Sequence, residues 1–233
     1  MENTVRLYHG STKIIKSPEF GKGNPHNDYG LGFYCTESLE LAKEWACISR
    51  NGGYANAYEL DMSTLLVMEL TAPEYGILNW LAVLVNNRTF NISSQLASEA
   101  KEYLTEYFLP DINAFDVIKG YRADDSYFTF ATDFLSNAIS LRQLSRAMYL
   151  GELGEQFMIK SSSAFNELKY VSSEPVDGDV NFSKRSKRDR DAREQYLKYE
   201  RKTNRKTDDI YMINILDEGM KRDDSRLQEN LLI

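Results

Sequence analysis

Val5-Arg6-Leu7-Tyr8-His9-Gly10-Ser11 is the stretch that decides how this 233-residue chain folds. Apolar and aromatic residues surround one Arg over Val5 to Tyr8, the composition of a half-buried strand. That strand is expected to end in His-Gly-Ser. A loop rich in Gly, Pro and Asn follows from Ser17 to Gly32. It leads to Gly30-Leu31-Gly32-Phe33-Tyr34-Cys35-Thr36, a Gly-rich approach to a short strand. After Thr36, Leu41, Trp45 and Ile48 recur at spacings of four and three, which predicts a helix. Glu37 and Glu40 suit its first turn, and Gly52-Gly53 is expected to end it.

Further out, Tyr54 to Leu60 and Leu65 to Leu70 read as strands around a turn at Asp61-Met62-Ser63. Tyr75 to Val85 and Ser94 to Phe108 read as helices, the first almost wholly core. A short strand is expected at Phe115 to Ile118. Helices follow at Ser126 to Asn137 and Leu141 to Leu150, with Ser140 as N-cap of the second. Gly154-Glu155-Gln156-Phe157-Met158-Ile159 puts a polar pair in front of an apolar strand. A short helix at Ser161 to Asn166 and a last strand at Leu168 to Val171 complete the pattern. Asp209 to Gln228 reads as a short amphipathic helix, with Ile210, Ile213 and Met220 on one side.

Composition narrows the class. Hydrophobic residues make up 42% of the chain, enough for a substantial core, and the net charge of -7 argues against nucleic-acid binding by bulk charge. Cys35 and Cys47 offer neither zinc-ligand spacing nor a disulfide framework, so no metal is expected. Strand alternation sends Cys35 into the core. The opening MENTVRLYHG lacks a basic-then-apolar leader, so no signal peptide is expected. The longest apolar run, Ile77 to Val85, is far short of the roughly 20 residues a bilayer needs. These points suggest a cytoplasmic protein that does not enter membranes.

The charge is unevenly spread. From Ser172 the composition changes, and SSEPVDGDVN reads as a linker. Lys184 to Lys206 then carries eleven basic and four acidic side chains, leaving the rest strongly acidic. The reading divides the chain at residues 1–172 and 173–233. Lys and Arg of the basic segment suit phosphates, and Tyr196 and Tyr199 suit base stacking. Asp189, Asp191, Glu194 and Glu200 are interleaved, however, which fits internal pairing. Its expected task is target recognition, so removal from Ser183 onward is expected to leave the chemistry intact.

Each of the three motifs is weak alone. A His at a strand end is more often a structural hydrogen-bonder, and Gly-x-Gly before a strand is usually a turn. In this order and context the set resembles the ADP-ribosyltransferase superfamily, in its His-Tyr-Glu branch shared by diphtheria-toxin-like and poly(ADP-ribose) polymerase-like enzymes. Within it the chain is similar to a bacterial domain-of-unknown-function family met in toxin–antitoxin and phage-defence settings. Asp116-Val117-Ile118-Lys119-Gly120, Ala123-Asp124-Asp125 and the run from Gln156 to Leu168 share in the likeness, which covers roughly residues 5 to 171.

The resemblance implies an α+β fold: a split sandwich of two antiparallel sheets with surrounding helices, plus a C-terminal helical extension. It implies transfer of a single ADP-ribose from NAD to a macromolecular acceptor, protein or nucleic acid, with an antitoxin as a further partner. By the same likeness His9 bonds a hydroxyl of the adenosine ribose, Gly10 pairs through its backbone with the nicotinamide amide, Ser11 adds a bond there, and Tyr34 stacks on the ring. The third position is Gln156 by register, where the branch has Glu. A Glu would stabilise the cation developing on the ribose, whereas Gln only hydrogen-bonds. Gln156→Glu is therefore expected to keep or raise cleavage, and a register one residue off would make Glu155 the acid. Other classes stay open: an NAD glycohydrolase, or a non-catalytic NAD- or nucleic-acid-binding module. Of the remaining polar residues, His26 reads as exposed, Asp28 and Tyr29 stand within reach of the cofactor, and Asp116, Arg122, Asp124 and Asp125 form a charged cluster read as a capped turn or a substrate-facing loop. Glu152 lies near the third motif.

Overall fold

The structure is a computed structural model that describes residues 3–90, 94–123, 125–150, 154–202 and 206–229. Asp124 and Glu152 lie outside these, as does the side chain of Asp125. The chain is α+β and divides into two compact units. One comprises Met1–Glu69, Asp111–Tyr121 and Leu153–Arg188; the other comprises Leu70–Pro110, Arg122–Glu152 and Asp189–Ile233.

The first unit holds two sheets. Strand β1 (Thr4–Ser11) pairs antiparallel with β3 (Gly53–Asp61), and β3 pairs antiparallel with β7 (Leu168–Val176). In the second sheet β2 (Phe33–Cys35) pairs with β6 (Glu155–Ile159), β6 with β5 (Val117–Tyr121), and β5 with β4 (Val67–Glu69). Only the β4–β5 pair is parallel among these ladders. A single bridge joins β1 to β2: Tyr8 N–H donates to Thr36 O at 2.7 Å, and Thr36 N–H donates to Tyr8 O at 2.9 Å.

Alternation along the strands builds the core between them. Leu7, Leu60, Cys35, Val117, Phe157 and Ile159 meet there with Ala164 of helix α6 (Ser162–Glu167), and Phe33 and Phe165 pack against them. Burial pushes the Cys35 thiol pKa far up, so this cysteine is a core residue and no nucleophile.

Helix α1 (Leu39–Ala46) starts at Ser38, whose hydroxyl accepts from Leu41 N–H at 3.3 Å. It is shorter than its apolar spacing predicts, and Ile48 lies beyond it, 71% exposed. α1 lies directly on β1. A Cβ on Gly10 would stand 2.0 Å from Ala42 O and 2.5 Å from Ala46 N, so only Gly fits at this crossing.

The second unit is helical. It contains α2 (Ile77–Asn87), α3 (Gln95–Tyr107), α4 (Asp125–Leu135), α5 (Leu141–Ala147), α8 (Met212–Asp217) and α9 (Ser225–Glu229). All of Ile77 to Val85 is buried, as the apolar run predicts. Ser94 and Ser140 cap α3 and α5 by accepting from Ala97 and Gln143 N–H. The amphipathic helix expected over 209–228 is two helices, parted at Gly219, which turns with φ 63°. Its buried residues include Met212 and Ile215, while Ile213 is exposed.

Two expectations about the C-terminal third change. The segment read as a linker is ordered structure: β7 runs to Val176, and α7 (Gly178–Gln195) starts two residues later. The division expected at 172/173 therefore cuts through a strand, and residues up to Arg188 belong with the sheets. The basic segment is also engaged internally. Arg188 forks onto Glu44 of α1 at 2.9 and 3.0 Å, and Lys184 reaches Glu40 at 2.9 Å. In the helical unit Arg193 bonds Asp189 and Thr129. No helix among the described residues is long and apolar enough to cross a membrane.

The Glu44 side chain is only 4% exposed, against 25% for Arg188. Removing one member of such a pair strands a buried charge, which is costlier than the pair itself is stabilising. A cut before Ser183 does this, so the truncation is not neutral for the first unit. Arg188→Ala should lower the unfolding free energy by about 2–4 kcal/mol, read by urea denaturation. Replacing both residues with Met should recover most of the loss. An unchanged midpoint in Arg188→Ala would mean that the pair behaves like a surface ion pair.

Candidate functional site

The site is assembled where β1 and β2 part after the Tyr8–Thr36 bridge. β1 ends in His-Gly-Ser as expected, so His9, Gly10 and Ser11 all lie within it. His9 braces the gap: its Nδ1 stands 2.6 Å from Tyr34 O, and its ring lies 4.4 Å from that of Phe33. A carbonyl only accepts, so Nδ1 carries the proton and donates. In the neutral ring Nε2 is then an acceptor. Burial lowers the His9 pKa below the ordinary imidazole value, the bond to Tyr34 opposing this in part.

Gly10 completes the edge. Tyr8 turns its N–H and C=O towards Thr36. Backbone groups alternate sides along a strand, so those of Gly10 face the same way, where β2 no longer runs alongside. Among the described residues neither group finds a hydrogen-bond partner. The Ser11 hydroxyl accepts from Lys13 N–H at 3.2 Å.

Tyr34 and Gln156 share one face of the β2–β6 ladder. Tyr34 pairs with Met158, two residues from Gln156, and side chains two apart point the same way. Over this face runs a strap, Asn27 to Gly32. The Tyr34 hydroxyl donates to Gly30 O at 2.7 Å and accepts from Tyr29 N–H at 3.1 Å. Gly30 makes this possible with φ 90°, a conformation costly for any side-chain-bearing residue. The buried Gln156 donates Nε2–H to Asp28 Oδ2 at 2.9 Å, and Tyr121 O lies 3.5 Å from the same nitrogen. Tyr29, 1% exposed, donates its hydroxyl to Tyr121 O at 2.5 Å.

The remaining candidates sort readily. Glu155 points to the opposite face, 2.9 Å from Lys119, so Gln156 alone of the two faces Tyr34's side. His26 is exposed in a turn, its N–H bonded to Asn24 Oδ1. Asp116 is a fastener at the start of β5: its carboxylate accepts from Leu66 N–H at 2.8 Å, and bonds from Ser161 and Leu66 hold its pKa low. It belongs to the first unit and Arg122 to the second. A groove lined by Thr4, Arg6, Glu59, Asp61, Glu167 and Lys169 lies towards the far end of β1 from His9, with Arg6 and Glu59 paired at 2.7 Å.

Sequence reasoning missed Asn56. It is fully buried in β3, its Nδ2 donating to His9 O and Lys13 O at 3.2 Å each. Its Oδ1 accepts from Ile15 N–H at 3.0 Å and Ser173 Oγ at 2.7 Å. One side chain thus ties the end of β1 to the loop beyond it. A lone polar residue inside an apolar strand is the only local signal for such a role. Asp28 was placed within reach of the cofactor; its bond to Gln156 was not foreseen.

The fold and this site define an α+β protein with a polar, partly unpaired strand edge at the junction of two sheets. Residues 5–170 match the family described as "Protein of unknown function (DUF3990)", and the chain belongs to that family. No curated protein and no solved structure matches the chain.

Two outcomes follow. Because burial holds the folded-state pKa of His9 down, the unfolded chain takes up its proton first as pH falls. Stability from this group is fully present above about pH 6.5 and is lost as pH drops below it. Thermal midpoints from pH 7.5 to 5 should show this loss, and His9→Asn, which keeps a donor for Tyr34 O, should lack it. Asn56→Leu leaves buried carbonyls and an amide unpaired and should cost about 2–4 kcal/mol in chemical denaturation; a loss under about 0.5 kcal/mol would deny Asn56 this role.

Proposed function

We propose that the chain is an NAD-dependent mono-ADP-ribosyltransferase, its first unit an ADP-ribosyltransferase-like split sandwich. The observation that carries the reading is the backbone of Gly10. An N–H and a C=O side by side at an open strand edge match a primary carboxamide, which offers one acceptor and two donors. Nicotinamide carries that group. His9, next in the strand, presents a neutral Nε2 acceptor suited to a ribose hydroxyl. Tyr34 offers an aromatic face nearby, and Gln156 lies on the side of β6 that Tyr34 occupies.

The reaction breaks the bond from nicotinamide nitrogen to ribose C1′. The bonding pair leaves with nicotinamide, and C1′ gains a bond to a nucleophile on the acceptor, which gives up its proton. Holding the carboxamide on Gly10 and the ribose on His9 would fix the leaving group against the sugar, which is worth much of the barrier in such displacements. Gln156, without charge of its own, suits single transfer better than chain elongation, which needs a base on the incoming ribose. The acceptor is a macromolecule, protein or nucleic acid. A toxin of a toxin–antitoxin or phage-defence system, acting in the cytoplasm, is the setting that fits the family resemblance.

Labelled NAD with whole-cell extract tests this. Label transferred to protein, RNA or DNA is the expected result. ADP-ribose formed equally without extract would make the chain a glycohydrolase, and binding without nicotinamide release would make it a binding module. His9→Ala should abolish cofactor use in a folded protein. Tyr34→Ala should weaken NAD binding by about 1–3 kcal/mol through the lost stack. Tyr34→Phe, which loses only the strap bonds, separates stacking from anchoring: it should retain most of the affinity.

A further inference from the structure

Gln156 departs from a pattern in which a carboxylate stabilises the developing cation, yet a carboxylate stands beside it. The Asp28 carboxyl lies 2.9 Å from Gln156 Nε2, and both groups are buried. The second neighbour of Nε2, Tyr121 O, is also an acceptor. Two acceptors around one end of a primary amide fix which end is nitrogen. Oε1 is therefore turned away from Asp28. Among the described residues no donor reaches it.

We propose that Asp28 is the positioning residue of the third motif: it locks the Gln156 amide with Oε1 presented to the nicotinamide-ribose hydroxyls and supplies the negative charge that Gln156 lacks. This rests on the transferase reading. A carboxylate accepting from Nε2–H draws the amide proton and pushes electron density to Oε1, and hydrogen bonds in series strengthen one another at low dielectric. The pair then offers what a single Glu would: an acceptor at the ribose backed by a carboxylate. Asp28 acts through Gln156 and forms no bond to the sugar. The same geometry reverses the expectation for Gln156→Glu. That change sets a second carboxylate against Asp28 and removes the amide donor between them, so acceptor faces acceptor.

The test is steady-state nicotinamide release from NAD by the full chain, with thermal midpoints for each variant. Asp28→Asn keeps an acceptor for Nε2–H and removes the charge. It should lower kcat on the order of 10²-fold with KM changed less than about threefold, a split that loss of a merely structural contact does not produce. Gln156→Glu alone should also lose activity. Combining Asp28→Asn with Gln156→Glu restores one amide, one carboxylate and the bond between them, and should recover most of kcat. Asp28→Asn as active as the unaltered protein, with Gln156→Ala inactive, would overturn the role of Asp28 and leave the transferase reading standing. A rise in rate in Gln156→Glu alone would overturn it too. If Asp28→Asn fails to fold, the exchanged pair decides: recovered kcat supports the proposal, and a folded, inactive protein overturns it. No nicotinamide release by the unaltered protein, with or without extract, would remove the transferase reading and this proposal together.

Discussion

Two backbone hydrogen bonds between Tyr8 and Thr36 set the layout of the first unit. They join β1 to β2 at one residue pair, after which the strands part. Everything distinctive about the site follows from that short contact. Had the ladder continued, Gly10 would spend its N–H and C=O on β2, and His9 would face another strand. Because it stops, His9 spans the gap to Tyr34 O, and the Gly10 amide edge stays available. The contact also delivers α1. The chain turns at Thr36, Ser38 caps the helix, and α1 drops onto β1 closely enough that Ala42 O excludes any side chain at position 10. Glycine at this position therefore answers to helix packing whatever ligand uses its backbone.

Much of the element order was legible because it rests on local physics. Ser140 announced a helix start, the spacing of Leu41 and Trp45 announced a helix after Thr36, and the apolar run at Ile77 to Val85 announced a buried helix. What misled was tertiary pairing. Ser172 to Val176 reads as a linker by composition, Pro175 included, yet it extends β7 along β3 at the edge of the sheet. An edge strand tolerates polar side chains and a missing N–H, so its composition carries little strand signal. α7 shows the same limit. Its residues have almost no apolar face beyond Phe182, and among its contacts are ion pairs from Lys184 to Glu40 and from Arg188 to Glu44, each 144 residues apart. No spacing rule reaches so far.

The site divides along the same line. His9, Gly10, Tyr34 and Gln156 could be singled out because each sits in a short motif. Asn56 and the hydrogen-bonding role of Asp28 could not, since their partners come together only in the folded chain. Asn56 serves four groups at once, three of them on the backbone of residues 9 to 15, and so holds His9 at the end of a strand that would otherwise fray. Alternation separates Glu155 from Gln156: Glu155 lies on the opposite face, paired with Lys119.

The strap from Asn27 to Gly32 gives the site its remaining character. It is tied down at three points: Gly30 and Tyr29 on Tyr34, Tyr29 on Tyr121, and Asp28 on Gln156. A Glu built into β6 would carry its charge whatever the loop did. In the proposed site the charge would come from the strap instead, through Asp28 beside the Gln156 amide. Without the strap bonds, Gln156 would keep only Tyr121 O beside its nitrogen, and the Tyr34 hydroxyl would lose its bonds to Gly30 and Tyr29. With these bonds in place, the Tyr34 hydroxyl is held and the Asp28 carboxyl stands beside Gln156 Nε2. In the proposed reaction the loop that shapes the cofactor site would thus also carry its carboxylate, so binding geometry and charge would come from one segment.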